Sequence, residues 1–305
     1  MNLIGKRKIW YMISLVMIVP GVISLILYGL RLGIDFRSGQ LLTVQGNVTI
    51  DQVQKAGVGL GLQDVQVVPS GGETEIRYRD TSPQNQHEAN HQKLKAALAD
   101  QHIEELSFDS VGPTVSSSIA RNAIASLFLV SLAIVLYIAF AFRNAPPPVS
   151  PWSFGFMAIA ALLHDAFFVL GVFSLLGHFL GVEIDSLFVT AILTVIGFSV
   201  HDTIVVFDRI RENLRRDKGS FEQIVNNSIL ETIARSINTS LTVLLTLLAL
   251  LLFGGQSIRL FVLALLIGIA SGTYSSIFNA SPLLVTWHNY KLKRIEKARL
   301  APKKA

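Results

Sequence analysis

The chain has 305 residues, 51% hydrophobic and 15% charged, with a formal net charge of +5. A soluble domain carries about a quarter charged residues, so this deficit calls for a bilayer as solvent. The basic residues sit beside hydrophobic runs and form no face of their own, which argues for membrane orientation and against nucleic acid; with no cysteine, disulfides, zinc ribbons and thiol chemistry are excluded.

In chain order, Lys6, Arg7 and Lys8 precede an apolar run from Ile9 to about Leu30. The run is too long for the core of a signal peptide, and no obvious cleavage site comes after it, so it reads as a retained anchor. Residues 31–120 alternate between strand-like and helix-like stretches. Gln40–Gly46 reads as a strand, Thr49–Gly57 as a helix, and Val65–Val68 and Glu75–Arg79 as strands joined by a Pro-Ser-Gly-Gly turn. Glu88–Gln101 reads as a second helix and Leu106–Ser110 as a last strand, after which Val111-Gly112-Pro113 breaks the sheet. The order β-α-β-β-α-β is that of a ferredoxin-like sandwich.

About twenty apolar residues cross a bilayer as a helix. Five further segments qualify: Ala123–Phe142, Phe154–Leu176, Leu187–Phe207, Ile237–Phe253 and Ile258–Trp287. The expected architecture is therefore an α-helical polytopic membrane protein with six transmembrane helices plus an α+β ferredoxin-like domain. Its parts are 1–30, 31–120, 121–287 and a basic tail, 288–305. Asn144–Pro151, with four prolines, reads as a stiff connector. Asp208–Arg235 reads as a loop whose helical stretch Glu222–Ala234 lies along the membrane surface.

Orientation is set by Lys and Arg near the span ends. One side holds Lys6, Arg7, Lys8, Arg143, the cluster from Arg209 to Lys218, Arg235, and tail residues including Lys291, Lys303 and Lys304. The short loops His178–Asp185 and Gly254–Ser257 hold neither Lys nor Arg. Both termini are thus expected in the cytoplasm, and 31–120 outside.

Ionisable groups inside a span are costly and mark candidate sites. Asp202 lies on the flank of a polar stripe, Thr190, Thr194, Gly197 and His201, that is expected to point into the bundle. It reads as a proton-handling carboxylate; the plainer reading is a helix-end carboxylate paired with a nearby Arg. Arg235, Asn238, Thr239, Thr242 and Thr246 share a face of the next span. A guanidinium there could pair with Asp202, and breaking the pair would change the carboxylate's proton affinity. Spacing alone equally allows Arg235 to be one more positive-inside residue. His164 and Asp165 lie mid-span and read as relay or packing groups. Gly268, Gly272, Ser275, Ser276 and Asn279 form a small-residue ridge along one side of the sixth span, read as packing. Neither a Ser/His/Asp order nor a metal-ligand helix motif is read, and no cofactor, metal or enzymatic activity is expected.

The run from Gly197 to Asn213, GFSVHDTIVVFDRIREN, resembles the fourth-helix signature of the SecF family. Arg235–Thr242 is similar to that family's fifth-helix start, Gly272–Phe278 to its sixth helix, and Val111-Gly112-Pro113 to the end of its extracytoplasmic domain. Gly33–Phe36 resembles the segment after the first helix, although Ser38-Gly39 stands where the family usually has adjacent glycines. The resemblance implies a multi-pass protein of the bacterial inner membrane that works with SecD, the SecYEG channel and the emerging preprotein, with YajC as a further partner. It implies that Asp202 is the protonatable carboxylate and Arg235 its partner, in a machine that spends the proton gradient on export. A proton-coupled exporter of a lipid or small solute is the alternative. An intramembrane aspartyl protease using Asp165 and Asp202 would need a Gly-x-Gly-Asp context that is missing here.

Overall fold

The computed structural model describes residues 2–70, 72–100 and 102–300. Gly71 of the expected turn, Gln101 at the expected helix end, and Lys303 and Lys304 of the tail lie outside the described residues. The chain divides into two compact units, Leu32–Ile124 on the one hand and Met1–Arg31 with Ala125–Ala305 on the other.

The smaller unit runs α2 (Ile34–Arg37), β1 (Gly39–Gln45), α3 (Ile50–Ala56), β2 (Leu62–Ser70), β3 (Glu73–Asp80), α4 (His87–Ala99) and β4 (Glu105–Val111), where α1 is reserved for the first span below. The strands form one antiparallel sheet in the order β2-β3-β1-β4. The β-α-β-β-α-β order expected from the sequence is therefore present. Alternation buries Leu42 and Val44 of β1 and Ile76 and Tyr78 of β3. Val53 of α3 and Leu94 and Leu98 of α4 close the core over them. A capping box between Thr49 and Gln52 starts α3. Ser38 has φ 60° and ψ 158°, a conformation close to glycine-only that costs roughly 1–3 kcal/mol. The departure from the family's paired glycines thus falls where glycine would be easiest.

Asp80, at the end of β3, accepts from Ser82 Oγ at 2.5 Å, Ser82 N at 2.9 Å and Asn90 Nδ2 at 3.0 Å. Burial pushes its pKa upward, but these hydrogen bonds outweigh burial and hold the carboxyl below its ordinary value. With the folded value below the unfolded value of about 3.9, Asp80 contributes stability that is present above that pH and lost as pH falls through the folded value. Amide protection of β3 in the full chain should therefore drop below about pH 4. Asp80→Asn should remove that acid-dependent drop, and a drop of unchanged size would assign it to another group.

Among the described residues six helices are long and apolar enough to cross a membrane, and they lie wholly or mainly in the larger unit. They are α1 (Arg7–Leu27, preceded by a 3-10 turn), α5 (Pro113–Ala141, which belongs to this unit from Ala125), α6 (Pro151–Leu180), α7 (Ser186–Arg216), α8 (Phe221–Phe253), and a composite of α9 (Arg259–Ser275), a π-helical turn (Ser276–Ala280) and α10 (Ser281–Leu300). Large apolar side chains on α1 and α5, among them Met12, Val16, Ile26, Phe128 and Leu129, point outward.

Inside, small residues set the spacing. Gly21 of α1 and Gly171 of α6 touch backbone to backbone, so that a Cβ on Gly21 would lie 2.7 Å from the Gly171 Cα. One turn on, Ser24 and Ser174 share a hydrogen bond of 2.8 Å. Gly268 and Gly272 of α9 lie against Val195 and Ser199 of α7.

One expectation needs correction here. Residues 222–234 are no surface helix in a long loop; they are the first turns of α8, which runs unbroken from a capping box at Ser220 and Gln223. Its 33 residues measure about 50 Å, well beyond a hydrocarbon core of about 30 Å. No glycine or proline interrupts Phe221–Phe253, so nothing in the sequence stops the helix. The end of α7 lies alongside its first turns, tied by Asn213 Nδ2 to Ser228 Oγ and Glu231 Oε2, both at 3.0 Å, and by the Arg209–Glu231 ion pair.

The small-residue ridge of the sixth span packs as expected, against more than one neighbour. Gly268 and Gly272 meet α7, Ser275 bonds Asp165 of α6, and Asn279 bonds Ser14 of α1. The π-turn winds in an extra residue and rotates the helix beyond it, which a straight α-helical projection cannot show.

Candidate functional site: two carboxylates inside the helix bundle

Asp165 is 1% exposed at mid-α6. Its Oδ2 accepts from Ser199 Oγ of α7 and Ser275 Oγ of α9, each at 2.5 Å. Its Oδ1 accepts from Ser271 Oγ of α9 at 2.9 Å and lies 3.0 Å from His164 Nδ1. Three hydroxyl donors and one imidazole nitrogen thus surround one carboxylate and join three helices at a point. With Nδ1 of His164 donating, its Nε2 carries the lone pair; that atom is buried and has no hydrogen-bond partner among the described residues.

Asp202 is 2% exposed on α7. It accepts from Ser240 Oγ of α8 at 3.2 Å, and His201 Nδ1 lies 3.7 Å from its other oxygen. The contrast with Asp165 is in coordination: one hydroxyl here, against three and an imidazole there. A carboxylate with few fixed donors is the one whose surroundings can change its proton affinity most. Ser199, three residues before Asp202, lies on the same side of α7 and already bonds Asp165, so one helix face serves both acids.

The expected inward stripe on α7 faces the other way. Thr190, Thr194, Gly197 and His201 are exposed, and the His201 side chain is 66% so. The buried stripe is Ile192, Val195, Ile196, Ser199, Asp202 and Thr203, one residue round, because the apolar side chains compete for the same interior. The exposed threonine hydroxyls donate to their own helix, Thr194 to the Thr190 carbonyl at 2.8 Å and Thr190 to that of Ser186 at 3.3 Å.

On α8, Arg235, Asn238, Thr239, Thr242 and Thr246 are exposed as well. Thr242 Oγ1 donates to the Asn238 carbonyl at 2.9 Å. Arg235 makes no ion pair among the described residues and is not brought to Asp202, whose partner on α8 is Ser240. The side of α8 that meets the bundle is a ladder of Ser228, Thr232, Ser236 and Ser240. Its strict spacing of four is visible in the sequence, but the charged face beside it is the more conspicuous signal.

A second omission lies in the smaller unit. His87-Glu88-Ala89-Asn90-His91 has the H-E-x-x-H spacing of a helical zinc motif. The structure gives both rings packing roles. His87 Nε2 lies 2.9 Å from the Ser82 carbonyl and its Nδ1 lies 3.4 Å from Gln40 Nε2. His91 is 4% exposed, stacks on Phe108 at 3.6 Å between ring centroids, and lies 3.4 Å from Glu105. No three-residue metal-binding cluster occurs among the described residues.

These features define a multi-pass membrane protein that keeps two carboxylates within its helix bundle. Residues 91–290 match the model of the family described as "Protein export membrane protein SecD/SecF, C-terminal". The chain is 49% identical to the protein translocase subunit SecF of Thermobaculum terrenum, covering 96% of both chains, and 41% identical to that of Anaerolinea thermophila, covering 95% of this chain and 94% of the relative. It is 37% identical to the protein translocase subunit SecDF of Bacillus subtilis, spanning 38% of its length. The crystal structure of SecDF from Thermus thermophilus, titled a translocon-associated membrane protein, superposes with a TM-score of 0.82 at 31% identity. That match covers 95% of this chain and 39% of the SecDF chain. The chain belongs to the SecD/SecF family, as a protein translocase subunit of the SecF type.

Proposed function

We propose that the chain works with SecD in the bacterial inner membrane, using the proton gradient to drive preprotein export through SecYEG. Asp202 is the carboxylate that takes up and releases the proton, and Arg235 is the charge that answers it. The observation that carries this reading is the pairing of a sparsely coordinated, buried Asp202 with an exposed polar face. His201, Arg235 and Asn238 stand outward on adjacent spans, where lipid is a poor neighbour and a second set of helices a good one. The likeness of this chain to about two fifths of a SecDF chain supports SecD as the source of those helices.

Both termini and the α7–α8 connection lie in the cytoplasm, as the basic residues of those segments favour, and the smaller unit lies outside. One proton crossing 100 mV carries about 2.3 kcal/mol, enough to shift a two-state equilibrium roughly fiftyfold. Its release at Asp202 would bias the helices, and through them the outer unit that handles substrate.

The test is translocation of a reporter preprotein in membrane vesicles holding SecYEG, SecD and this chain, with and without an imposed gradient. The increment due to the chain should disappear when the gradient is collapsed. An increment that persists would leave the chain in the translocase but remove proton coupling from it.

A further inference from the structure

Asp165 and His164 make a buried acid–imidazole dyad whose outer nitrogen points away from the carboxylate. Among the described residues His164 Nε2 is buried and unpartnered, and so is Asn279 Nδ2 on the π-turn, where Asn279 is 3% exposed. Tyr274 links the two. Its ring lies 6.4 Å from the His164 ring, centroid to centroid, and its hydroxyl is 3.4 Å from Ser14 Oγ, which donates to Asn279 Oδ1 at 2.8 Å. The Tyr274 hydroxyl itself donates to the Trp10 carbonyl at 2.8 Å, which leaves its oxygen as an acceptor. An unpaired acceptor, an unpaired amide donor and two hydroxyls, strung together through Tyr274, supply the kinds of partner with which a buried water makes its usual three or so hydrogen bonds.

We propose that His164, Tyr274, Ser14 and Asn279 bind water at the junction of α1, α6 and the π-turn, and that His164 passes protons between this water and Asp165. In one passage a proton joins Nε2 from the water side while the Nδ1 proton passes to Asp165 along the hydrogen bond, whose heavy atoms are 3.0 Å apart. The ring ends as the other neutral tautomer and the carboxylate as its acid, and reverse passage restores both. Ser199 continues the polar string from Asp165 onto the helix that holds Asp202. The water site stands on geometry alone, whereas the relay rests on the proton-coupled reading above.

Two measurements separate these parts. The first is radiolytic hydroxyl labelling of the chain with SecD in native membranes. His164, whose side chain is 9% exposed, should be oxidised, while the comparably enclosed Leu247 and Leu265 stay unmodified, and Asn279→Leu should lower the His164 signal. A His164 as silent as the two leucines overturns the water site.

The second is gradient-driven export by His164→Gln, a variant that still donates to Asp165, with membrane level and SecD pull-down matched to wild type. Loss of the gradient-dependent increment supports the relay. Full export by His164→Gln where Asp202→Asn fails overturns the relay and spares Asp202. If Asp202→Asn also exports normally, proton coupling through this chain fails and the relay with it, while the labelling result still decides the water site.

Discussion

Asp202→Asn is expected to abolish the gradient-dependent part of export, down to the level of vesicles lacking the chain, without disturbing the fold. Asparagine keeps a carbonyl that can accept from Ser240, the one hydroxyl that bonds Asp202 at 3.2 Å. Even complete loss of a hydrogen bond between membrane helices costs at most about 1.7 kcal/mol, so unfolding in detergent should move little. What asparagine cannot do is bind and release a proton. Arg235→Gln should show the same separation, since its side chain is exposed and holds no ion-pair partner among the described residues. If Asp202→Asn exports normally at a normal membrane level, the carboxylate is structural. If only Arg235→Gln is silent, that arginine is an orientation signal.

The largest effect on stability is expected at Asp165. Asp165→Leu leaves three hydroxyls and an imidazole without their acceptor in the interior of α6, α7 and α9. At about 0.6–1.7 kcal/mol for each intramembrane bond, the four together amount to roughly 2–7 kcal/mol. Asp165→Asn should cost far less, about 1–2 kcal/mol, because hydroxyls rotate to accept as well as donate and the amide offers both roles. Unfolding of the purified chain in mixed micelles, followed by helix content, checks the order wild type, Asn, Leu. Equal stabilities for Asn and Leu would mean that the serines find other partners and the cluster is no keystone.

The contrast between the two acids shows what a sequence discloses here. Six spans are readable from apolar length, and the α+β unit from alternating patterns in which Leu42, Val44, Ile76 and Tyr78 recur every second residue. The acids themselves stand out because a carboxylate in a span is rare. Their partners do not. Ser199, Ser240 and Ser271 are common residues in membrane helices, and only the packing of α6 against α7 and α9, and of α7 against α8, selects them.

Helix ends are misread for a related reason. Polar turns such as Thr114 to Asn122 and Glu222 to Arg235 lower the local hydropathy, so in the sequence α5 and α8 start only where they first enter lipid. The backbone continues regardless, as Pro113 in the first turn of α5 and the capping box of α8 dictate. The facing of Thr190, Thr194, Gly197 and His201 cannot be decided by polarity at all. An outward polar stripe and an inward one have the same periodicity, and only the competition with Val195 and Ile196 for the interior separates them.

The π-turn at Ser276–Ala280 makes residue count matter as much as residue identity. Each residue of an α-helix advances the winding by roughly 100°, and the wide turn takes five residues to wind about as far as four would. Losing a single residue here would let the turn rewind as α-helix and leave everything beyond it near its old bearing. Thr286 would keep Tyr11, to which it is bonded at 2.8 Å, and Asn289 would keep Glu222, also at 2.8 Å. A one-residue deletion in this stretch is absorbed by the turn, whereas the same deletion in the α-helical part of the span misaligns its far end.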